Sequence, residues 1–197
     1  MRNQLLYVNI GIGSETYFNW RNENAKITFN QLDVLNARNY PGKLSYYIHI
    51  KKQDYKLVFR KLAPPKGKGK ELIFIVGATP DCQYQVMEAF IEFIFEQWYE
   101  IYGKLFLKSS SFGNLFDGFK EIIQDAFTEV PRKYLIKTAT RCSSCSENFE
   151  VYVRKSLINN AEYFPVAIIF EHADHALLLY IDQQGNSRGE SPVDITG

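Results

Sequence analysis

Cysteine and net charge are both scarce in this chain, and each scarcity excludes a class of protein. The 197 residues include 3 cysteines, Cys82, Cys142 and Cys145, and an odd, sparse set does not fit the paired disulfides of a small secreted domain. The formal net charge is +1, so the chain as a whole has no field that attracts nucleic acid or acidic lipid. We therefore expect a reducing compartment and no nucleic-acid partner.

Long apolar segments are also missing. The longest one, residues 86–95, contains Glu88 and Glu92 and is far shorter than the roughly 20 apolar residues that a membrane-spanning helix needs. The N-terminal apolar run is interrupted by Gly11 and Glu15, which does not fit an export signal. These features predict a soluble cytoplasmic protein that is peripheral at membranes only through its partners.

Hydrophobic and aromatic residues, in contrast, are plentiful. Hydrophobic residues make up 46% of the chain and aromatic residues 15%, which is enough to build a substantial core. A chain of this length and composition predicts one large domain, or a medium-sized domain with a small appendage.

The first half of the chain has the pattern of short strands around one helix. Apolar and β-branched runs bounded by turn residues predict five strands, over residues 5–12, 16–20, 44–50, 55–62 and 72–76. The scattered apolar positions of residues 31–39 favour a short amphipathic helix between the second and third strands.

Two helices follow the fifth strand. The first ends at Gly103 and is apolar around most of its circumference. Its acidic residues recur every fourth position and predict one solvent-facing stripe, formed by Glu88, Glu92, Glu96 and Glu100. The second helix covers about residues 111–127, is apolar on one face, and is expected to end before Pro131.

The order of these elements predicts an α/β chain of the α+β type. Five strands form a mainly antiparallel sheet with helices packed on it, in a first domain over residues 1–132. Residues 133–197 form a small β module. Because no Gly/Ser-rich linker separates the two parts, we expect the module to be packed on the first domain.

Three segments, together with the element order, give the first domain a resemblance to a known family. The segments are Tyr55-Lys-Leu-Val-Phe-Arg-Lys, Leu72-Ile-Phe-Ile-Val-Gly, and the helical Glu88-Ala-Phe-Ile-Glu. They resemble the longin-type domain, which includes the small chains of clathrin adaptor complexes and related trafficking proteins, over residues 1–131. The chain departs from that family in a basic, Pro- and Gly-containing insertion at residues 64–70.

The resemblance implies a non-catalytic adaptor or scaffold. Longin-type domains bind small GTPases, SNARE-like segments, or neighbouring subunits of coat and tethering complexes, and they use no catalytic residues. By this resemblance the protein would act in vesicle trafficking or small GTPase regulation, with another protein as its partner and as a homo- or heterodimer.

The last third of the chain contains a set of metal-ligand residues. Short apolar runs predict four strands, over residues 134–138, 149–153, 166–170 and 176–181. The pair Cys142 and Cys145 falls between the first two of these strands, and the pair His172 and His175 falls between the last two. Two facing hairpin tips with two such ligands each match the tetrahedral sulfur and nitrogen coordination of zinc, as in zinc ribbons. We therefore predict a structural zinc ion.

Other interpretations of the same residues stay open. Cys142 and Cys145 also fit a reduced surface pair or a redox-labile disulfide, and the histidines also fit residues that merely end their strands. The next residue, Ser146, stands where zinc knuckles prefer glycine, because glycine lets backbone amides approach the sulfur.

A complete set of two cysteines and two histidines leaves no open coordination position for water, so this zinc would be structural. A metal-dependent hydrolase would need an open position, with Glu171 or Asp174 as the base. We expect Asp174 instead to accept a hydrogen bond from a histidine ring. The other alternative is a zinc-ribbon nucleic-acid or transcription-associated protein, against which the balanced charge argues.

Overall fold

The computed structural model describes residues 3–42, 46–63, 71–103, 115–172 and 175–193, with the backbone alone at residue 172. The chain divides into two compact units. Unit 1 comprises Met1–Cys82 and Met87–Val130, and unit 2 comprises Gln83–Val86 and Pro131–Gly197. The basic insertion predicted at residues 64–70 lies outside the described residues.

The first part of the chain has the predicted order of elements. These are β1 (Leu5–Ile12), β2 (Glu15–Arg21), α1 (Gln31–Arg38), β3 (Ile48–Lys51), β4 (Lys56–Leu62), β5 (Leu72–Ala78), α2 (Tyr84–Tyr102) and α3 (Phe119–Lys133). The strands form one antiparallel sheet in the order β2-β1-β5-β4-β3. The predicted five-stranded antiparallel sheet of an α+β fold is thus confirmed.

Helices cover both faces of this sheet, which is why its central strand β5 is buried along its whole length. On one face α1 packs on a cluster of buried side chains, formed by Leu6, Tyr7, Phe29, Val34, Ala37, Tyr55, Leu57, Phe59, Ile73 and Ile75. On the other face aromatic rings of the strands meet rings of α2 and α3, in the pairs Phe18–Phe119, Phe74–Phe95 and Trp20–Phe127.

Several predicted boundaries are wrong. The third strand begins at Ile48, after residues 46 and 47, which were predicted to belong to it; Tyr46 is exposed. The predicted strand residues 44 and 45 lie outside the described residues.

Helix α3 begins at Phe119, so the predicted helical residues 115–118 precede it, and the predicted residues 111–114 lie outside the described residues. Helix α3 does not end before Pro131 but continues through it to Lys133. Proline removes one backbone hydrogen bond, and in the last turn of a helix that loss does not stop the helix.

The acidic stripe predicted on α2 is solvent-facing only in its second half. Glu96 and Glu100 are exposed, whereas Glu88 is only 4% exposed and contacts His49 of β3. The hydroxyl of Tyr47 donates a hydrogen bond to Glu92. Because β3 and the residue before it lie against this part of α2, the first two carboxylates contact side chains of unit 1.

Short strands and one short helix follow α3 in unit 2, which also contains the first turn of α2 and the end of α3. These elements are β6 (Leu135–Arg141), β7 (Asn148–Arg154), α4 (Lys155–Asn159), β8 (Val166–His172), β9 (His175–Ile181) and β10 (Ser187–Val193). Strands β6 and β7 form an antiparallel hairpin, and a second antiparallel sheet has the order β10-β9-β8. The four predicted strands are present, but α4 and β10 were not predicted.

The hydrophobic core of unit 2 is small. Its buried members are Cys142, Val151, Val153, Ile158, Ile168, Leu177, Leu179 and Ile181. One of the predicted metal ligands, Cys142, is thus a member of this core.

Among the described residues of the whole chain, no helix has both the length and the apolar composition to span a membrane.

Candidate metal centre

Two hairpin tips of unit 2 bring three predicted ligands together. Cys142 and Cys145 lie in the turn between β6 and β7, and His175 is the first residue of β9. The Cys142 Sγ atom is 3.0 Å from His175 Nε2. The ligand atoms of Cys142, Cys145 and His175 all lie within 4.8 Å of one another, close enough to hold one metal ion.

The fourth predicted ligand, His172, is described only by its backbone. It is the last residue of β8 and pairs directly with His175 across the antiparallel ladder. The side chain of His172 lies outside the described residues, as does the whole of Asp174, which we expected to accept a hydrogen bond from a histidine. The register therefore places the two histidine positions opposite each other at the end of one hairpin.

The backbone of the cysteine turn is folded around its two sulfur atoms. The amides of Ser144 and Cys145 donate hydrogen bonds to the Cys142 sulfur, and the amide of Glu147 donates to the Cys145 sulfur. The turn is closed by two backbone hydrogen bonds of 2.8 Å, from Ser146 N–H to the Cys142 carbonyl and from Cys142 N–H to the Glu147 carbonyl. Such amides stabilise thiolates, which are the form that binds metal.

Ser146 has the backbone conformation that makes glycine the preferred residue at this position of zinc knuckles. Its φ angle is +64°, in the left-handed region that glycine adopts without steric cost. The turn therefore has the backbone conformation that a glycine would favour, although a serine occupies it. The serine costs some stability but does not prevent the amides from reaching the sulfur atoms.

The surroundings of the two thiols shift their pKa values in opposite directions. Burial acts to raise the pKa of Cys142, but hydrogen bonds from the Cys145 and Ser144 amides, and from the His175 and Cys145 side chains, lower it to about 7. The pKa of Cys145 is raised: the Glu147 amide acts to lower it, but burial and the neighbouring Cys142 outweigh that effect. Cys142 is thus the first thiolate of the pair, and a bound cation would displace the proton of Cys145.

Strand β10, which was not predicted, also reaches the cysteine turn. The Glu190 carboxylate of β10 accepts a 2.8 Å hydrogen bond from the Ser143 amide through Oε1. Farther along the same strand, the Ser187 hydroxyl lies 3.3 Å from the Thr140 hydroxyl of β6. The sequence of β10 is polar and lacks the apolar alternation that predicts a strand. Only the turn at residues 183–186 could have indicated β10, because a tight turn after β9 allows the next segment to pair with that strand.

The donor set fits zinc in both chemistry and dimensions. Zinc binds thiolate sulfur at about 2.3 Å and imidazole nitrogen at about 2.0–2.1 Å, usually with four tetrahedral ligands in structural sites. Two sulfur atoms and one nitrogen within 4.8 Å of one another can all reach such an ion after small side-chain rotations. No carboxylate joins these three groups among the described residues, so the set favours zinc over the oxygen-seeking calcium and magnesium ions.

Comparisons with protein families, with curated proteins and with solved structures find no match to this chain. The resemblances to longin domains and to zinc ribbons therefore rest on the segments and the element order described above.

Proposed function

We propose that this protein is a non-catalytic interaction scaffold of the longin type, with a C-terminal unit that is stabilised by a structural zinc ion. The observation that carries the interaction role is the arrangement of unit 1, in which two strands, one helix, three strands and two helices follow one another around an antiparallel sheet. That order is the basis of the longin resemblance, which supplies small GTPases or coat- and tether-type subunits as the class of partner.

The zinc role is supported by the convergence of Cys142, Cys145 and His175. We assign the fourth coordination position to His172, because it pairs with His175 across the ladder. Four protein ligands leave no position for a water molecule, so the ion would stabilise the unit and would not activate a nucleophile.

The partner would bind at an edge of the sheet or in a groove beside its helices, by strand addition or helix docking. Among the described strands, β2 and β3 are the two edges of the sheet of unit 1. Of these, β2 is the longer, with 7 residues against 4. A longer edge presents more unpaired backbone groups to an added strand.

The interaction role is tested by measuring binding of the purified protein to a panel of purified small GTPases and coat-type subunits. Each GTPase is loaded in turn with GDP and with a GTP analogue. We expect a saturable complex with at least one member. If none binds at concentrations up to about 100 μM, where the standard binding free energy is still about −5.5 kcal/mol, the proposed partner class is wrong.

The zinc role is tested by metal analysis of the protein purified without added metal. We expect one zinc per chain, lost in the double variant Cys142→Ser with Cys145→Ser. Ser144→Ala is the matched control, because Ser144 is an exposed residue of the same turn that binds the sulfur through its backbone alone. The site would be contradicted if wild-type protein contains no zinc as purified and the double variant unfolds at the same temperature as that protein.

The two alternatives stay predictions with tests of their own. A nucleic-acid-binding protein would retard labelled duplex in a gel at low ionic strength, with affinity that falls as salt rises. A hydrolase that uses His172, His175 and the Glu171 or Asp174 carboxylate would show metal-dependent turnover of simple ester or phosphate substrates.

A further inference from the structure

Glu190 is the residue of β10 that touches the candidate metal centre, and its two carboxylate oxygens differ in their surroundings. Oε1 accepts the hydrogen bond from the Ser143 amide. Oε2 is buried and has no hydrogen-bond partner among the residues that the structure describes. A buried carboxylate oxygen without a partner costs free energy, so its place beside the cysteine turn calls for a compensating interaction.

The hydrogen bond from Ser143 completes a pattern in the turn. Three successive amides, those of Ser143, Ser144 and Cys145, lie between the two sulfur atoms along the chain. Two of them donate to the Cys142 sulfur, and the first donates to Glu190. With all three amides bound, the backbone of the turn is fixed in the conformation that directs both sulfur atoms to one point.

We propose that Glu190 is a positioning residue of the metal centre, which holds the cysteine turn in its metal-binding conformation through the Ser143 amide. This inference rests on the proposed zinc site. The charge of a zinc ion bound by Cys142, Cys145 and His175 is balanced by the two thiolates, so zinc would remove the repulsion between the Cys142 thiolate and the Glu190 carboxylate. Residues that support metal ligands in this way commonly contribute about 10–100-fold to metal affinity.

The test compares the zinc affinity of Glu190→Ala, Glu190→Gln and wild-type protein in competition with a chromogenic chelator. We expect Glu190→Ala to weaken zinc binding about 10–100-fold. Glu190→Gln keeps an oxygen that accepts from the Ser143 amide, and we expect it to recover a large part of that loss. Glu162→Ala is the matched control, because Glu162 is an exposed carboxylate of the same unit, and it should bind zinc as wild-type does.

Two further readouts separate a positioning role from other roles. The absorption spectrum of the cobalt-substituted protein should keep its band positions in both variants, and shifted bands would show that Glu190 is itself a ligand, which overturns the proposal. The unfolding of the chelated protein should be the same in Glu190→Ala and wild type. Lower stability of the chelated variant would instead assign Glu190 a general structural role.

The outcomes also distinguish this inference from the zinc site on which it rests. If wild-type protein binds no zinc, the site itself is wrong. If wild-type protein binds zinc and Glu190→Ala binds it equally well, the site stands and the positioning role alone is wrong. Equal weakening by Glu190→Ala and Glu190→Gln would likewise contradict a role that acts through the Ser143 hydrogen bond.

Discussion

The two units of this chain differ in how much core they have to hold them together. Unit 1 has a central strand that is buried along its whole length and large rings on both faces of its sheet. Among the described residues, the buried cluster of unit 2 has eight members, all aliphatic apart from Cys142, and the half-buried rings of Phe149 and Phe170 pack against it. Because small cores contribute little net stability, natural domains of this kind are often reinforced by a disulfide or a metal.

The strand architecture of unit 2 points the same way. The β6–β7 hairpin pairs with no third strand among the described residues, and an isolated two-stranded hairpin is marginal in water. The candidate ligands lie on that hairpin and on the β8–β9 hairpin. A metal ion would therefore link the two sheets of unit 2, whereas the sheet of unit 1 depends on side-chain packing.

The largest effect is expected from Phe74→Ala in unit 1. Phe74 is fully buried and packs against rings of α2, so its truncation should lower the free energy of unfolding by about 3–5 kcal/mol. Both tryptophans, Trp20 and Trp98, belong to unit 1, so their fluorescence during urea unfolding reports this loss.

The loss from Phe74→Ala should be the same with and without a zinc chelator. Leu32→Ala, which truncates an α1 residue that is 64% exposed, is the control and should change the free energy of unfolding by less than about 0.5 kcal/mol. A Phe74→Ala effect that depends on zinc would contradict the distinction between the two units.

The next largest effect is expected from His175→Ala in unit 2. With free zinc at about 100 times its dissociation constant, a bound ion stabilises the unit by about 2.7 kcal/mol, and the variant should lose most of that. Hydrogen exchange of the β6–β9 amides, measured by mass spectrometry, reports the change. Ser144→Ala should keep the zinc effect, and retention of the effect in His175→Ala would remove this histidine from the ligand set.

A comparable or smaller effect is expected from Gly185→Ala, in the turn before β10. Gly185 has a φ angle of +85°, and an added Cβ would lie 2.8 Å from a methyl carbon of Ile136. We expect a loss of about 1–3 kcal/mol in the stability of unit 2, from backbone strain and overpacking together. Gly189→Ala is the control, since nothing lies within 4 Å of its added Cβ. Equal exchange rates in the two variants would show that this turn does not constrain unit 2.

The smallest effect, and the one of opposite sign, is expected from Ser146→Gly. Glycine removes the steric cost of the left-handed conformation, roughly 1–2 kcal/mol of folding free energy. It also lowers stability by about 0.5–1 kcal/mol, because the unfolded chain has more conformational freedom at a glycine. We expect a net gain of about 0.5–1 kcal/mol, seen as slower exchange in β6 and β7. The same change at Ser144 should bring no gain, and a destabilised Ser146→Gly protein would contradict the account of this turn.

The parts of the fold that were predicted correctly are those whose signal is local. Strands β1 and β5 are continuous apolar runs, and α2 is an apolar helix too long to be a strand. The cysteine pair at one hairpin tip and the histidine pair at another were also placed correctly, because the spacing of strands and turns fixes them in the sequence.

The parts that were missed depend on neighbours distant in sequence. Glu88 looked solvent-facing by helical period, but the edge strand β3 covers it. Strand β10 is polar and contains Gly189 and Pro192, so only its pairing with β9 reveals it. Glu190 could not be connected to the cysteine turn for the same reason.

The measurement that tests the central claim most directly is hydrogen exchange of the zinc-loaded protein against the chelated protein, resolved by strand. With zinc at about 100 times its dissociation constant, we predict that chelation speeds exchange in β6–β10 by up to about 100-fold and leaves β1–β5 unchanged. Unchanged exchange in unit 2, or an equal rise in both units, would contradict a unit that is held together by metal.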